Sequence, residues 1–83
     1  MTIKELIKDL SMFDPDLPVL VSGYEGGFKE LLPKCIIQEK MIRDYYDAWY
    51  YGPHVVLDDY HKDEMNEKGL GMFDAVILSR GAR

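Results

Sequence analysis

The sequence predicts an α+β fold, with one N-terminal helix packed on an antiparallel sheet of about four strands. Two observations point to it. Ile3, Leu6, Ile7 and Leu10 recur at the i, i+3, i+4, i+7 spacing of a single helical face. Beyond them the apolar residues fall into short, β-branched runs bounded by proline, glycine and charged residues, which is the pattern of strands. The connections are short, and short connections favour antiparallel pairing.

Taken in order, Thr2-Ile3-Lys4-Glu5 reads as a capping box, so the helix spans about Thr2 to Met12. Asp14-Pro15-Asp16 stops it, because proline disfavours helical geometry in the residue before it. Val19 to Ser22 reads as a buried strand and Gly23 to Gly27 as a loop, its three glycines supplying positive-φ positions. Lys34 to Arg43 is the second strand, partly covered because Gln38, Glu39 and Lys40 make its middle polar. The aromatic stretch Asp44–Pro53 reads as a loop or a strand extension. His54 to Leu57 is the third strand. Asp58 to Gly71 reads as a solvated loop with a helical turn near Asp63–Lys68. Ala75 to Leu78 is the fourth, buried strand, and Ser79–Arg83 a short tail. One domain, residues 1–83, is expected.

At 83 residues, a domain buries only about 60–65% of its unfolded surface, so homo-oligomerisation is the natural way to bury more. The chain is 47% hydrophobic and 30% charged, too apolar for disorder. A net charge of −5 and the lack of any Lys/Arg run disfavour nucleic acid as a partner. No apolar stretch approaches the roughly 20 residues that span a bilayer, so no membrane partner is expected. Charged Lys4, Glu5, Lys8 and Asp9 interrupt any signal-peptide pattern. Cys35 is the single cysteine; it sits in an apolar run and reads as a buried, unreactive thiol. These features predict a cytoplasmic protein.

The densest chemical signal is Tyr45-Tyr46-Asp47-Ala48-Trp49-Tyr50-Tyr51, five large rings in seven residues before Gly52-Pro53. In a small domain, rings grouped like this serve either the core or a contact surface. Strand-like alternation would place Tyr45, Asp47, Trp49 and Tyr51 on one side and Tyr46, Ala48 and Tyr50 on the other. Tyr24, in the glycine-rich loop, can stack on a planar group, although that loop lacks the spacing of a phosphate loop and also reads as a plain hairpin turn. His54, Asp58, Asp59 and His61 include metal-ligand types, but at spacings that match no strong motif, and neighbouring Asp58 and Asp59 point apart along a strand. No nucleophile–base arrangement stands out, so no catalytic residue, metal or cofactor is expected. Arg43 and Arg80 each end an expected strand; each can clamp an anion, or pair on the surface with Asp44 or Asp74.

The stretches Thr2–Ile7, Phe13–Gly27, Trp49–His54 and Ala75–Arg80 together resemble short proteins of phages and prophages. That resemblance carries no catalytic or binding residues with it. It implies a small accessory protein of a mobile element, acting inside the host cell by blocking a host protein or sequestering a small signalling molecule. The expected function is therefore non-enzymatic binding, as an inhibitor of a host (defence) protein or, alternatively, as a sponge for a nucleotide-like ligand; a small enzyme or a structural subunit of a larger particle is the remaining alternative. The expected contact residues are Tyr24, Tyr46, Trp49, Tyr50 and His54, with Arg43 and Arg80 for an anionic group.

Overall fold

The computed structural model describes residues Met1–Gly81, so the last two residues of the expected tail lie outside the described part. The elements in chain order are helix α1 (Ile3–Leu10), strands β1 (Leu20–Ser22) and β2 (Phe28–Glu30), a 3-10 turn (Pro33–Cys35), strands β3 (Ile36–Ile42) and β4 (Val55–Val56), helix α2 (Asp59–Lys68) and strand β5 (Met72–Leu78). The class is α+β with antiparallel sheets, as the sequence predicts. The strands divide into a two-stranded sheet, β1-β2, and a three-stranded sheet in the order β4-β3-β5. The chain forms two compact units, Met1–Ile37 with Leu78–Arg83, and Gln38–Ile77.

In the first unit, Thr2 caps α1. Its hydroxyl oxygen accepts the Glu5 N–H at 3.1 Å, and the hydroxyl donates to Glu5 Oε1 at 3.0 Å, so the box closes between side chains. Past the helix, the Asp16 N–H donates to Asp14 Oδ1 at 2.9 Å, the local turn that Asp-Pro-Asp favours. β1 and β2 pair as Leu20↔Glu30, Val21↔Lys29 and Ser22↔Phe28. The sequence gives little sign of β2, because Phe28-Lys29-Glu30 holds one apolar residue. The hairpin turn depends on Gly23, whose N–H donates to the Gly27 carbonyl at 2.9 Å. A Cβ at that position would collide with the Gly26 carbonyl oxygen. β1 is not the buried strand its composition suggests: Leu20 and Ser22 are exposed and Val21 is half-buried. Cys35 is buried as expected, and among the described residues of this unit no other is.

The second unit holds the core. β3 pairs with β4 as Met41↔Val56 and Ile42↔Val55, and beside it the Arg43 N–H donates to the Gly71 carbonyl at 2.8 Å. Met41, Ile42 and Met65 are buried, Ile42 completely. β5 alternates strictly, with Phe73, Ala75 and Ile77 half-buried and the residues between them exposed. The expectation of a fully buried fourth strand is thus corrected to a one-sided strand.

A larger correction concerns Asp58 to Gly71, where a solvated loop with a helical turn near Asp63–Lys68 was expected: the turn is there, but it belongs to a continuous helix, Asp59–Lys68. Its ends carry the reason. Asp58 accepts the His61 N–H at 2.8 Å as N-cap. Gly69, at φ +65°, closes the other end in the left-handed conformation that glycine adopts without cost. The Leu70 N–H then donates to the Met65 carbonyl at 3.0 Å. Between the caps, Lys68 and Glu64 pair at 2.8 Å with i, i+4 spacing. Met65 is the one side chain that α2 buries.

Candidate functional site: an aromatic loop

The segment between β3 and β4 departs from strand geometry at Asp44, whose φ of +55° reverses the chain. Asp tolerates this left-handed region better than most residues. The Asp44 N–H donates to His54 Nδ1 at 3.1 Å, and the Tyr46 N–H donates to the Pro53 carbonyl at 3.0 Å. These two bonds join the ends of an eleven-residue loop (44–54), the geometry of a compact surface loop whose ends lie close. At its tip the Tyr51 N–H donates to the Ala48 carbonyl at 3.1 Å. The tip is therefore a turn, which corrects the strand-like alternation expected for the rings.

The rings form a connected series. His61 on α2 meets Tyr45 edge-on at 4.9 Å, and Tyr45 meets Tyr46 edge-on at 4.8 Å. Tyr46 stacks on Tyr51 at 4.8 Å with planes 19° apart. Tyr51 touches Tyr50 at 5.2 Å, and Tyr50 meets Trp49 edge-on at 5.6 Å. Such offset and edge-on pairs stabilise by about 0.5–1.5 kcal/mol beyond the area they bury. Exposure climbs along the series: His61, Tyr45 and Tyr46 are half-buried, Tyr50 is 69% exposed and Trp49 is 92% exposed.

The inner end is fixed by polar contacts. The Tyr45 hydroxyl donates to Glu64 Oε2. That bond, with burial, pushes the Tyr45 pKa up to about 12. The hydrogen bond from Lys68 and then the one from Tyr45 hold the Glu64 carboxyl below its ordinary range. The Glu64 carboxylate in turn raises the Lys68 ammonium. At the N-terminus of α2, the His61 backbone N–H lowers the Asp58 carboxyl.

Among the expected contact residues, Tyr46, Trp49 and Tyr50 belong to this series. His54 stands at the loop base, accepting a backbone N–H and meeting Phe73 edge-on at 5.0 Å, so it positions the loop. Arg43 and Arg80 do not make the expected ion pairs with Asp44 or Asp74. The Arg43 guanidinium lies 4.1 Å over the Phe73 ring, and Asp74 pairs instead with Lys40 at 3.4 Å. Arg80 lies 5.2 Å over the Tyr24 ring, in the first unit. There it lines an open groove of about 440 Å³ with Leu20, Val21, Ser22, Phe28 and Leu78. Of His54, Asp58, Asp59 and His61, the structure brings Asp58 and His61 together, with His61 Nδ1 at 2.6 Å from Asp58 Oδ1, but among the described residues no three His, Cys, Asp or Glu side chains gather as a metal site would require.

Tyr51, read in the sequence as part of the aromatic run but not as a contact residue, links the tip to the anchored rings; the Tyr45–Glu64–Lys68 contacts were not read from the sequence at all. The i, i+4 spacing of Glu64 and Lys68 is that of helical pairing; the separation of 19 positions between Tyr45 and Glu64 hid their bond. No protein-family model, curated protein or solved structure matches this chain.

Proposed function

We propose that this chain is a non-enzymatic binding protein that grips a protein partner with Trp49, Tyr50 and Tyr51. One observation carries the reading: the largest ring in the chain is held 92% exposed at the end of a series of packed rings. An exposed indole costs solubility and gives the fold little beyond its edge-on contact with Tyr50, whereas a pre-ordered Trp-Tyr pair loses little rotamer entropy on contact. The charge of −5 suits a basic surface on the partner. With the resemblance to phage and prophage proteins, this supports the role of an accessory inhibitor of a host protein, a defence factor among the candidates, acting in the host cytoplasm.

Replacing Trp49 and Tyr50 together by Ala weakens capture of the host partner by about 30-fold or more, the loss expected for a central aromatic anchor. The thermal midpoint stays close to that of the parent, because both side chains are exposed. Pull-down from host lysate with parent and double variant, each checked by circular dichroism, measures this. Equal capture by a folded double variant overturns the reading.

The groove beside Arg80 favours a second reading, a sponge for a small anionic, nucleotide-like ligand that meets Arg80 and Tyr24. Mass spectrometry of small molecules co-purified with the same preparation discriminates. A ligand retained by the Trp49/Tyr50 variant and lost on Arg80→Ala selects the sponge.

A further inference from the structure

We infer that α1 is a self-association face, covered by the same helix of a second copy of this chain. Ile3, Ile7 and Leu10 are exposed, Ile7 at 64%, and α1 buries no residue at all. An isolated helix of eight residues is unstable in water whatever its caps, so something must cover that stripe. The amount of surface leaves room for a partner of the chain's own size. The chain exposes 7166 Å², whereas two separate globules of half its mass would together expose only about 6,100 Å². The surplus, about 1,000 Å² per chain, is spread over exposed apolar residues of which Ile3, Ile7 and Leu10 are part, and it matches in size what one partner contributes to an obligate homodimer interface at the lower end of its range, about 2,000 Å² in total.

Charge favours a second copy over an unlike partner. The chain is strongly acidic, yet α1 balances Lys4 and Lys8 against Glu5 and Asp9. It is therefore a stretch where two copies meet without net repulsion. Helical spacing places Lys4 along one border of the stripe and Asp9 along the other. A two-fold axis parallel to the helices sets the basic border of each copy against the acidic border of its mate. An antiparallel pairing would set like against like.

The test is the mass of the full chain by sedimentation across a dilution series from about 100 μM to 1 μM, the range in which modest homodimers dissociate. The parent chain is expected as a dimer of the 9.6 kDa chain at the upper end. Ile7→Glu is expected as a monomer throughout. Should that variant lose its fold, Lys4→Glu keeps the stripe intact and adds a favourable first-turn acid; it is expected to raise the dimer dissociation constant about tenfold or more, the effect of two symmetry-related unlike pairs turned to like charges in a partly desolvated setting. Trp49→Ala with Tyr50→Ala leaves the mass unchanged, which keeps this inference separate from the proposed partner contact. A parent chain that is monomeric at every concentration, or dimers unaffected by Ile7→Glu, overturns it.

Discussion

Helix α1 carries four apolar residues on one face and buries none of them. Helix α2 carries Met65 among charged and polar neighbours, and buries it. Both begin at a side-chain cap, Thr2 in one and Asp58 in the other. They differ in what the chain supplies around them. α2 receives the Tyr45 hydroxyl on Glu64, and the Tyr45 ring against His61. α1 receives no comparable partner among the described residues, and Leu6 is its most covered side chain, half-buried. An amphipathic stripe records a demand for cover; it does not say which chain meets it. A polar helix, conversely, is held by two good ends and one well-placed side chain.

The largest test of this contrast pairs Met65 with Ile7. Met65→Ala removes a side chain that is 6% exposed and costs about 2–5 kcal/mol, the range for buried Met truncation. In a chain whose total stability is of the order of 4–12 kcal/mol, that shift is plain in urea denaturation at any protein concentration. Ile7→Ala behaves differently. Its cost is below about 0.5 kcal/mol where the chain is dilute, as for any exposed position, and grows as concentration rises and copies associate. A concentration-independent loss of the same size for both variants would erase the distinction between the helices.

That distinction also marks how far the sequence could be read. α1 was legible because its capping box and its 3.6-residue period lie within eleven residues. β5 was legible in place but not in sidedness: four consecutive apolar residues, Ala75 to Leu78, hide the alternation that pleating imposes on any strand. α2 was legible only as a turn near Asp63–Lys68, since Met65 alone does not make an apolar period. Asp58 and Gly69, a cap at each end of ten residues, were the readable signal. The aromatic run was legible as a cluster. Its order was not, because the series from His61 to Trp49 depends on a turn set by Asp44 at positive φ and on a bond between residues 19 apart. Arg43 shows a similar limit: nearby Asp44 and Asp74 suggested an ion pair, while the strand register brought the guanidinium to Phe73.

The caps provide a smaller and sharper comparison. Thr2→Ala removes the acceptor for the Glu5 N–H and costs about 1 kcal/mol. Asp58→Ala leaves the His61 N–H without its side-chain acceptor, lowers the thermal midpoint, and loosens the ring series where His61 meets Tyr45. Asp58→Asn keeps an acceptor at the same place and recovers most of the midpoint. Amide exchange separates the two helices: Asp58→Ala speeds exchange through α2 and leaves α1 alone, while Thr2→Ala does the reverse. Exchange that quickens equally in both helices with either variant would show them to be one cooperative element.

The finest test is titration, because the groups that hold α2 respond to pH in opposite directions. Asp58 and Glu64 have folded-state pKa values below their ordinary ones. Their contribution is in full force above the ordinary carboxylate range, about pH 4, and drains away as pH falls through the folded values, where the unfolded chain takes up protons first. Tyr45 has the reverse sign. Its pKa is pushed from 10.0 up to about 12, so the fold favours the protonated phenol. That contribution is complete below about pH 10 and is lost as pH rises toward the folded value. Lys68, raised by Glu64, adds to the same alkaline loss. Protection of α2 amides is therefore expected to fall on both sides of a plateau between about pH 5 and pH 10. Tyr45→Phe keeps the ring that meets His61 and Tyr46 but removes the hydroxyl; it reduces the alkaline fall to the share Lys68 supplies and lessens the depression of Glu64. An alkaline limb identical in the parent and in Tyr45→Phe would detach the aromatic loop from α2, and with it the idea that the exposed rings at the tip are held from the helix.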